Sequence, residues 1–192
     1  MIESVLTRKQ VSLRVKITVK TLISASLIVL AVILPQLFHF AFGAQSGIKF
    51  LPMYLPVILG GCLLGIKWGV AVGALSPLVS FLITSAAGNP MPALARLPFM
   101  AAELVVFAAV AGAFSKKIAK NALWAFPAVI SAQIVGRAAF LGSVAIFQSL
   151  VPFTPALIWS QIVTGITGLA LQAVFAPIIV IALKLLLDKK GE

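Results

Sequence analysis

Two oppositely charged side chains sit where charge is costly. Glu103 lies in Phe99-Met-Ala-Ala-Glu-Leu-Val105 and Arg137 in Gln133-Ile-Val-Gly-Arg-Ala138, each inside a long apolar run. A charge at the centre of a membrane helix costs about 2.5–3.5 kcal/mol on insertion scales, so such groups face a partner or a cavity. Two readings stand side by side: an ion pair that holds two helices together, or ligands for a polar solute. Gln133, from the same segment as Arg137, is a further candidate ligand. Catalysis finds little support. His39 is the only histidine and Asp188 the only aspartate, which excludes paired aspartates, a His-Glu-x-x-His zinc motif and a Ser-His-Asp set. Gly60 to Lys67 departs from a phosphate loop, because lysine must follow the glycine directly and Ser or Thr must come next. The chain is expected to be no enzyme and to need no cofactor or metal, and any ATP use belongs to another subunit.

The elements that must position these residues are membrane helices. Hydrophobic residues make up 61% of the 192-residue chain and charged residues 10%, which excludes a water-soluble domain with a charged surface. Apolar segments of spanning length, roughly 20 residues for a 30 Å hydrocarbon core, fall at 18 to 41, 52 to 66, 68 to 86, 94 to 115, 122 to 150 and 156 to 187. An all-α, six-helix membrane domain over residues 18–187 is therefore expected, with a basic segment at 1–17 and a short tail at 188–192. The second and third spans are short, and only Lys67 and a glycine-rich turn separate them. Cys62, the only cysteine, lies in an apolar span and reads as a core residue.

The net charge of +11 is explained by topology rather than by nucleic acid, since the basic residues occupy short segments between apolar runs. Twelve Lys and Arg fall in the amino-terminal segment, the turn at Lys67, the loop holding Lys116, Lys117 and Lys120, and the carboxyl end, against Lys49 and Arg96 in the alternate loops. The positive-inside rule then places both termini in the cytoplasm, which requires an even number of spans. A cleaved signal peptide ending near Ala41-Phe-Gly43 would leave five spans and fits the loop charges no better. In the basic segment, Val11, Leu13, Val15 and Ile17 alternate with Ser12, Arg14, Lys16 and Thr18, a poor match to a surface helix, so a solvated tail is expected.

The loops on the outward side are rich in turn formers. They are Gly43 to Leu51 followed by Pro52 and Pro56, then Ser85-Ala-Ala-Gly-Asn-Pro-Met-Pro-Ala93, then Val151-Pro-Phe-Thr-Pro155. Such loops can frame the mouth of a pocket or simply punctuate helices. In the sixth span Gln161, Gly165, Gly168 and Gln172 share one helical face. Gln172 is assigned to packing, deep toward the cytoplasm. Gln161, near the outer mouth, and its neighbour Trp159 are candidate ligands, as is Asn89 in the second outward loop. Gly61, Gly65, Gly69 and Gly73 repeat every four residues but cross the turn at Lys67, so they are expected to pack helices within the protein. Ser24, Ala25, Ser26 and Ala31 offer a smooth strip on the first span.

Taken in order, several segments resemble one family. They are Pro52-Met-Tyr-Leu-Pro-Val-Ile-Leu-Gly-Gly61, Gly65, Gly69, Gly73, Ser76-Pro-Leu78, Glu103-Leu104, Gly136-Arg137 and Gly165-Ile-Thr-Gly-Leu-Ala-Leu-Gln-Ala-Val-Phe-Ala-Pro177. They resemble the substrate-binding S components of energy-coupling factor (ECF) transporters, over residues 18 to 187. The first span lacks the clean Ala-x-x-x-Ala strip that such proteins often present to their coupling subunit. The resemblance implies a multi-pass protein of the bacterial plasma membrane that captures a vitamin or related organic micronutrient outside. It would deliver that ligand inward together with a transmembrane coupling protein and two cytosolic ATPases, reorienting in the bilayer. It also places the site in the outward loops and the outer halves of helices four to six. Metal-specific members carry an amino-terminal histidine motif, whereas this chain begins Met1-Ile2-Glu3, so an organic ligand is expected. The alternatives are a self-contained secondary carrier or channel driven by an ion gradient, and a membrane scaffold in which the charged pair is purely structural.

Overall fold

A computed structural model describes residues 1–2, 6, 12–43, 45–150 and 152–189, so Arg8, Lys9, Lys190 and Val151 lie outside the described residues. Every described regular element is helical. In chain order these are α1 (Leu13–Phe42), α2 (Ser46–Phe50), α3 (Tyr54–Leu64), α4 (Ile66–Ala86), α5 (Leu97–Ala113), α6 (Ser115–Lys120), α7 (Ala125–Phe147), α8 (Pro155–Thr164) and α9 (Ile166–Lys189), with short 3₁₀ turns before α5 and α7 and after α7. Among the described residues, six helices are long and apolar enough to cross a membrane: α1, Ser46–Leu64, α4, Leu94–Ala113, Ala122–Phe147 and Ile166–Asp188. The protein is a six-span, multi-pass membrane protein.

The boundaries depart from expectation in three places, the first being the loop expected over Gly43 to Leu51, which is helical over Ser46–Phe50 and extends the second span. The helix α1 begins at Leu13, so the end of the basic segment is helical rather than a solvated tail; Thr18 and Thr21 bond back to the carbonyls of Arg14 and Ile17 instead of competing with the turn. The sixth apolar run, expected as one span over 156 to 187, is interrupted at Gly165 between α8 and α9.

At the centre of the bundle is α3, buried from Tyr54 to Leu64 but for half-buried Leu55. Its neighbours α4 and α5 approach it through glycine. A methyl placed on Gly69 would lie 2.7 Å from Cα of Gly61, and one on Gly61 would lie 2.6 Å from the carbonyl oxygen of Ala108. No side chain fits at either position, which lets three backbones meet. The chain folds back at Gly65 (φ +86°), which brings Gly69 over Gly61. Cys62 is fully enclosed in this core. Large apolar side chains cover the outside instead, among them Leu22, Leu82, Ile134, Ile146, Phe175 and Leu185. Such a surface is stable only against lipid.

Candidate functional site

The two charged residues meet. Glu103 on α5 and Arg137 on α7 form an ion pair, Arg137 Nη1 to Glu103 Oε1 at 2.8 Å. The other carboxylate oxygen, Oε2, accepts a hydrogen bond of 2.5 Å from the hydroxyl of Tyr54, at the start of α3. Three separate helices thus converge on one carboxylate whose side chain is wholly buried. The Arg137 guanidinium lies over the Tyr54 ring, 4.7 Å from its centroid, and 6.0 Å from that of Phe107. Phe107 in turn meets Tyr54 edge-on with centroids 5.1 Å apart. It needs Gly136 to do so, since a methyl there would sit 2.1 Å from the ring. Local sequence therefore fixes the arginine: Gly136 admits the ring that Arg137 rests against.

The ion pair leaves part of the arginine unused. Arg137 Nε and Nη2 are buried and hydrogen-bond to nothing among the described residues. These two nitrogens share one edge of the planar guanidinium, while Nη1, toward Glu103, belongs to the other. An unpaired buried donor costs about 1–3 kcal/mol, so native structures keep few of them.

Arg137 also lines a cavity of about 440 Å³ at the end of the bundle where residues 45–53, 87–93 and 152–155 gather. Tyr54, Met100 and Phe140 form further walls, and half-buried Arg96 and Gln161 add polar groups. The volume lies within the range of small-molecule sites, which are mostly apolar with a few placed polar groups.

Two loops are pinned around this cavity. Gln172 donates to the carbonyls of Phe50 (3.1 Å) and Leu51 (2.8 Å), and a methyl on Gly168 would lie 2.6 Å from the Phe50 carbonyl. These contacts hold Leu51 at φ +52°, a backbone region that a branched side chain seldom adopts. The second loop is fixed at Met91: its N–H donates to Thr84 Oγ1 (2.7 Å) and its carbonyl accepts from Ser80 Oγ (2.8 Å). Near the third loop, Phe153 meets Phe99 edge-on at 5.6 Å and lies under the Arg96 guanidinium at 5.8 Å.

Of the residues singled out by sequence, Arg137 and Gln161 line the cavity, and Glu103 stands behind Arg137. The others lie elsewhere. Gln133 donates to the carbonyl of Leu169 at 2.9 Å and ties α7 to α9. Trp159 is 59% exposed on the outside of α8. Asn89 is exposed, its backbone N–H closing the turn onto the Thr84 carbonyl at 3.0 Å. Gln172 is packed as expected, yet against the loop at residues 50–51 rather than deep toward the opposite end. Sequence reasoning missed Tyr54, Arg96, Met100 and Phe140. Tyr54 carried a signal, being the only tyrosine in the chain and flanked by Pro52 and Pro56. Arg96 was absorbed into the count of loop charges, and apolar walls have no signature of their own.

No curated protein and no solved structure gives a significant match to the chain. One family model does, that of the ECF transporter substrate-specific component, and it covers residues 16–180. The match runs from the first turn of α1 through most of α9, taking in Tyr54, Glu103, Arg137 and the whole cavity. The chain belongs to the ECF transporter substrate-specific component family.

Proposed function

We propose that this protein is the capture subunit of an ATP-driven importer. It binds a vitamin-like organic micronutrient in the cavity above Arg137 and passes it inward with a transmembrane coupling protein and two cytosolic ATPases. The observation that carries this reading is Arg137: a buried guanidinium lining a cavity of suitable size, with two donors unspent. Loop charge supports the direction of capture, because among the described residues the loops around the cavity hold only Lys49 and Arg96, while Lys67, Lys116, Lys117 and Lys120 fall in the opposite loops. On this reading both termini are cytoplasmic, residues 18–187 form the membrane domain, and the protein resides in the bacterial cell membrane. Gln161 and Arg137 contact ligand, and Glu103 positions Arg137.

Mass spectrometry of small molecules that co-purify with the detergent-solubilised protein identifies the ligand, and uptake into vesicles tests the mechanism. Uptake that requires ATP and the coupling subunit is the expected result. Uptake driven by a proton gradient alone would make the protein a secondary carrier instead. Absence of both uptake and bound ligand would leave Glu103 and Arg137 as a structural pair.

A further inference from the structure

We infer that the ligand is an organic monoanion whose carboxylate binds side-on to the Nε and Nη2 edge of Arg137. The inference rests on the substrate-capture reading above and adds the chemical class of the substrate.

Three observations converge on it. The first is which donors are free. Nη1 stands 2.8 Å from Glu103 Oε1 in an ion pair that lacks hydrogen-bond geometry, and the two enclosed nitrogens without a partner are Nε and Nη2, the pair that presents parallel N–H bonds from one edge. That edge matches the two oxygens of a carboxylate, and bidentate pairing of this kind is a specific strength of arginine. A neutral carbonyl or hydroxyl would satisfy only one of the two.

The second is charge. Glu103 and Arg137 cancel, and Arg96 adds a second guanidinium to the cavity wall, while among the described residues no Asp or Glu lines the cavity. One positive charge therefore remains for the ligand to neutralise. A monoanion balances it in a poorly solvated site, whereas a cation would add to it and a doubly charged phosphate ester would overshoot.

The third is rigidity on one side and adaptability on the other. Tyr54 and Phe107 hold the guanidinium plane, and Glu103 holds its far edge. Nε and Nη2 are covered in this state, so a ligand reaches them by displacing a side chain. The cavity lining includes Met53, Met91 and Met100, unbranched side chains that repack without backbone movement. The ligand's body then lies among methionine, Phe140 and proline, which makes it apolar or weakly polar.

The test uses the intact protein in detergent and matched pairs that differ only at the acid: biotin and biotinamide, pantothenate and pantothenol, nicotinate and nicotinamide. Riboflavin, pyridoxine and thiamine serve as neutral and cationic comparisons. Thermal stabilisation at about 1 mM probe, followed by calorimetry, reads binding. At least one acid is expected to bind, with its neutral mate at least about tenfold weaker, and Arg137→Lys, which keeps the charge and loses the fork, should weaken the acid by a similar factor. Should Arg137→Lys fail to fold, Arg96→Gln, outside the ion pair, should still lower acid affinity several-fold. Binding of the neutral mate as tightly as the acid, or of riboflavin, pyridoxine or thiamine with no acid bound, overturns the carboxylate assignment while leaving substrate capture standing. No binding in any arm overturns the assignment. No co-purifying molecule and no uptake either would sink the capture reading with it.

Discussion

The hydroxyl of Tyr54 donates to Glu103 Oε2 at 2.5 Å, joining the start of α3 to the middle of α5 across 49 positions of chain. The carboxylate that balances Arg137 is thus held from both sides, by a phenol and by a guanidinium. Replacement of Tyr54 by phenylalanine keeps the ring under Arg137 and removes only the donor. Tyr54→Phe is expected to destabilise the protein by about 1.5–3 kcal/mol, the worth of a hydrogen bond to a charged group. Thermal melting at fixed detergent concentration measures it, and an unchanged midpoint would show that this bond contributes nothing net.

The ion pair itself should behave as a coupled unit. Removing one partner, as in Glu103→Leu or Arg137→Leu, strands a buried charge and is expected to cost about 3–5 kcal/mol. Removing both should cost much less than the sum, because neither charge is then left alone. A double-mutant cycle on melting temperature reads the coupling; additive losses would mean that the two charges do not sense each other.

Side chains near the cavity should divide by position rather than by polarity. Gln161→Ala is expected to weaken the co-purifying ligand by roughly two- to tenfold, the range of one lost hydrogen bond. Trp159→Ala and Asn89→Ala, both exposed and outside the lining, should leave affinity unchanged. Calorimetric titration decides, and a large loss in Trp159→Ala would move the site outward onto α8.

The glycine seam predicts unequal tolerance of the same substitution. Gly69→Ala forces a methyl to 2.7 Å from the Gly61 backbone, where nothing flexible can yield, and should greatly reduce the folded yield in membranes. At Gly142, within α7, nothing lies within 4 Å of the added methyl, and Ala should be neutral or stabilise by about 0.5–1 kcal/mol. Equal effects at the two positions, read by size-exclusion profile and melting, would contradict the packing described.

Loop anchoring gives a separate readout. Gln172→Leu deletes the two hydrogen bonds that fix the carbonyls of Phe50 and Leu51. Amide exchange around residues 46–54 should accelerate, since the left-handed Leu51 then lacks support. Exchange at the glycine seam should not change.

Much of the architecture was legible before any coordinates. Length and apolarity mark out six spans, because the bilayer penalises polar backbone and charge so heavily that composition alone locates helices. The same penalty exposed Glu103 and Arg137. It could not show that Tyr54 completes their network, because a tyrosine in a membrane helix is unremarkable until its partner is known. Gln133 and Gln172 illustrate a related point: an amide in an apolar segment must bond to something, and here each donates to backbone carbonyls, as the packing reading of Gln172 expected. Arg96 was hidden by the loop-charge count, which treats every loop cation as equivalent.

The methyl-free contact between α3 and α4 has a mechanical consequence. Helices that touch through their main chains cannot slide without collision, so α3, α4 and α5 form a stiff plate that carries Tyr54 and Glu103 as fixed furniture. Arg137, on α7, joins the network from outside this plate. Any movement of α7 against this plate must break the 2.8 Å ion pair, lift Arg137 off the Tyr54 ring and draw Gly136 away from Phe107 together, so the three contacts act as one latch.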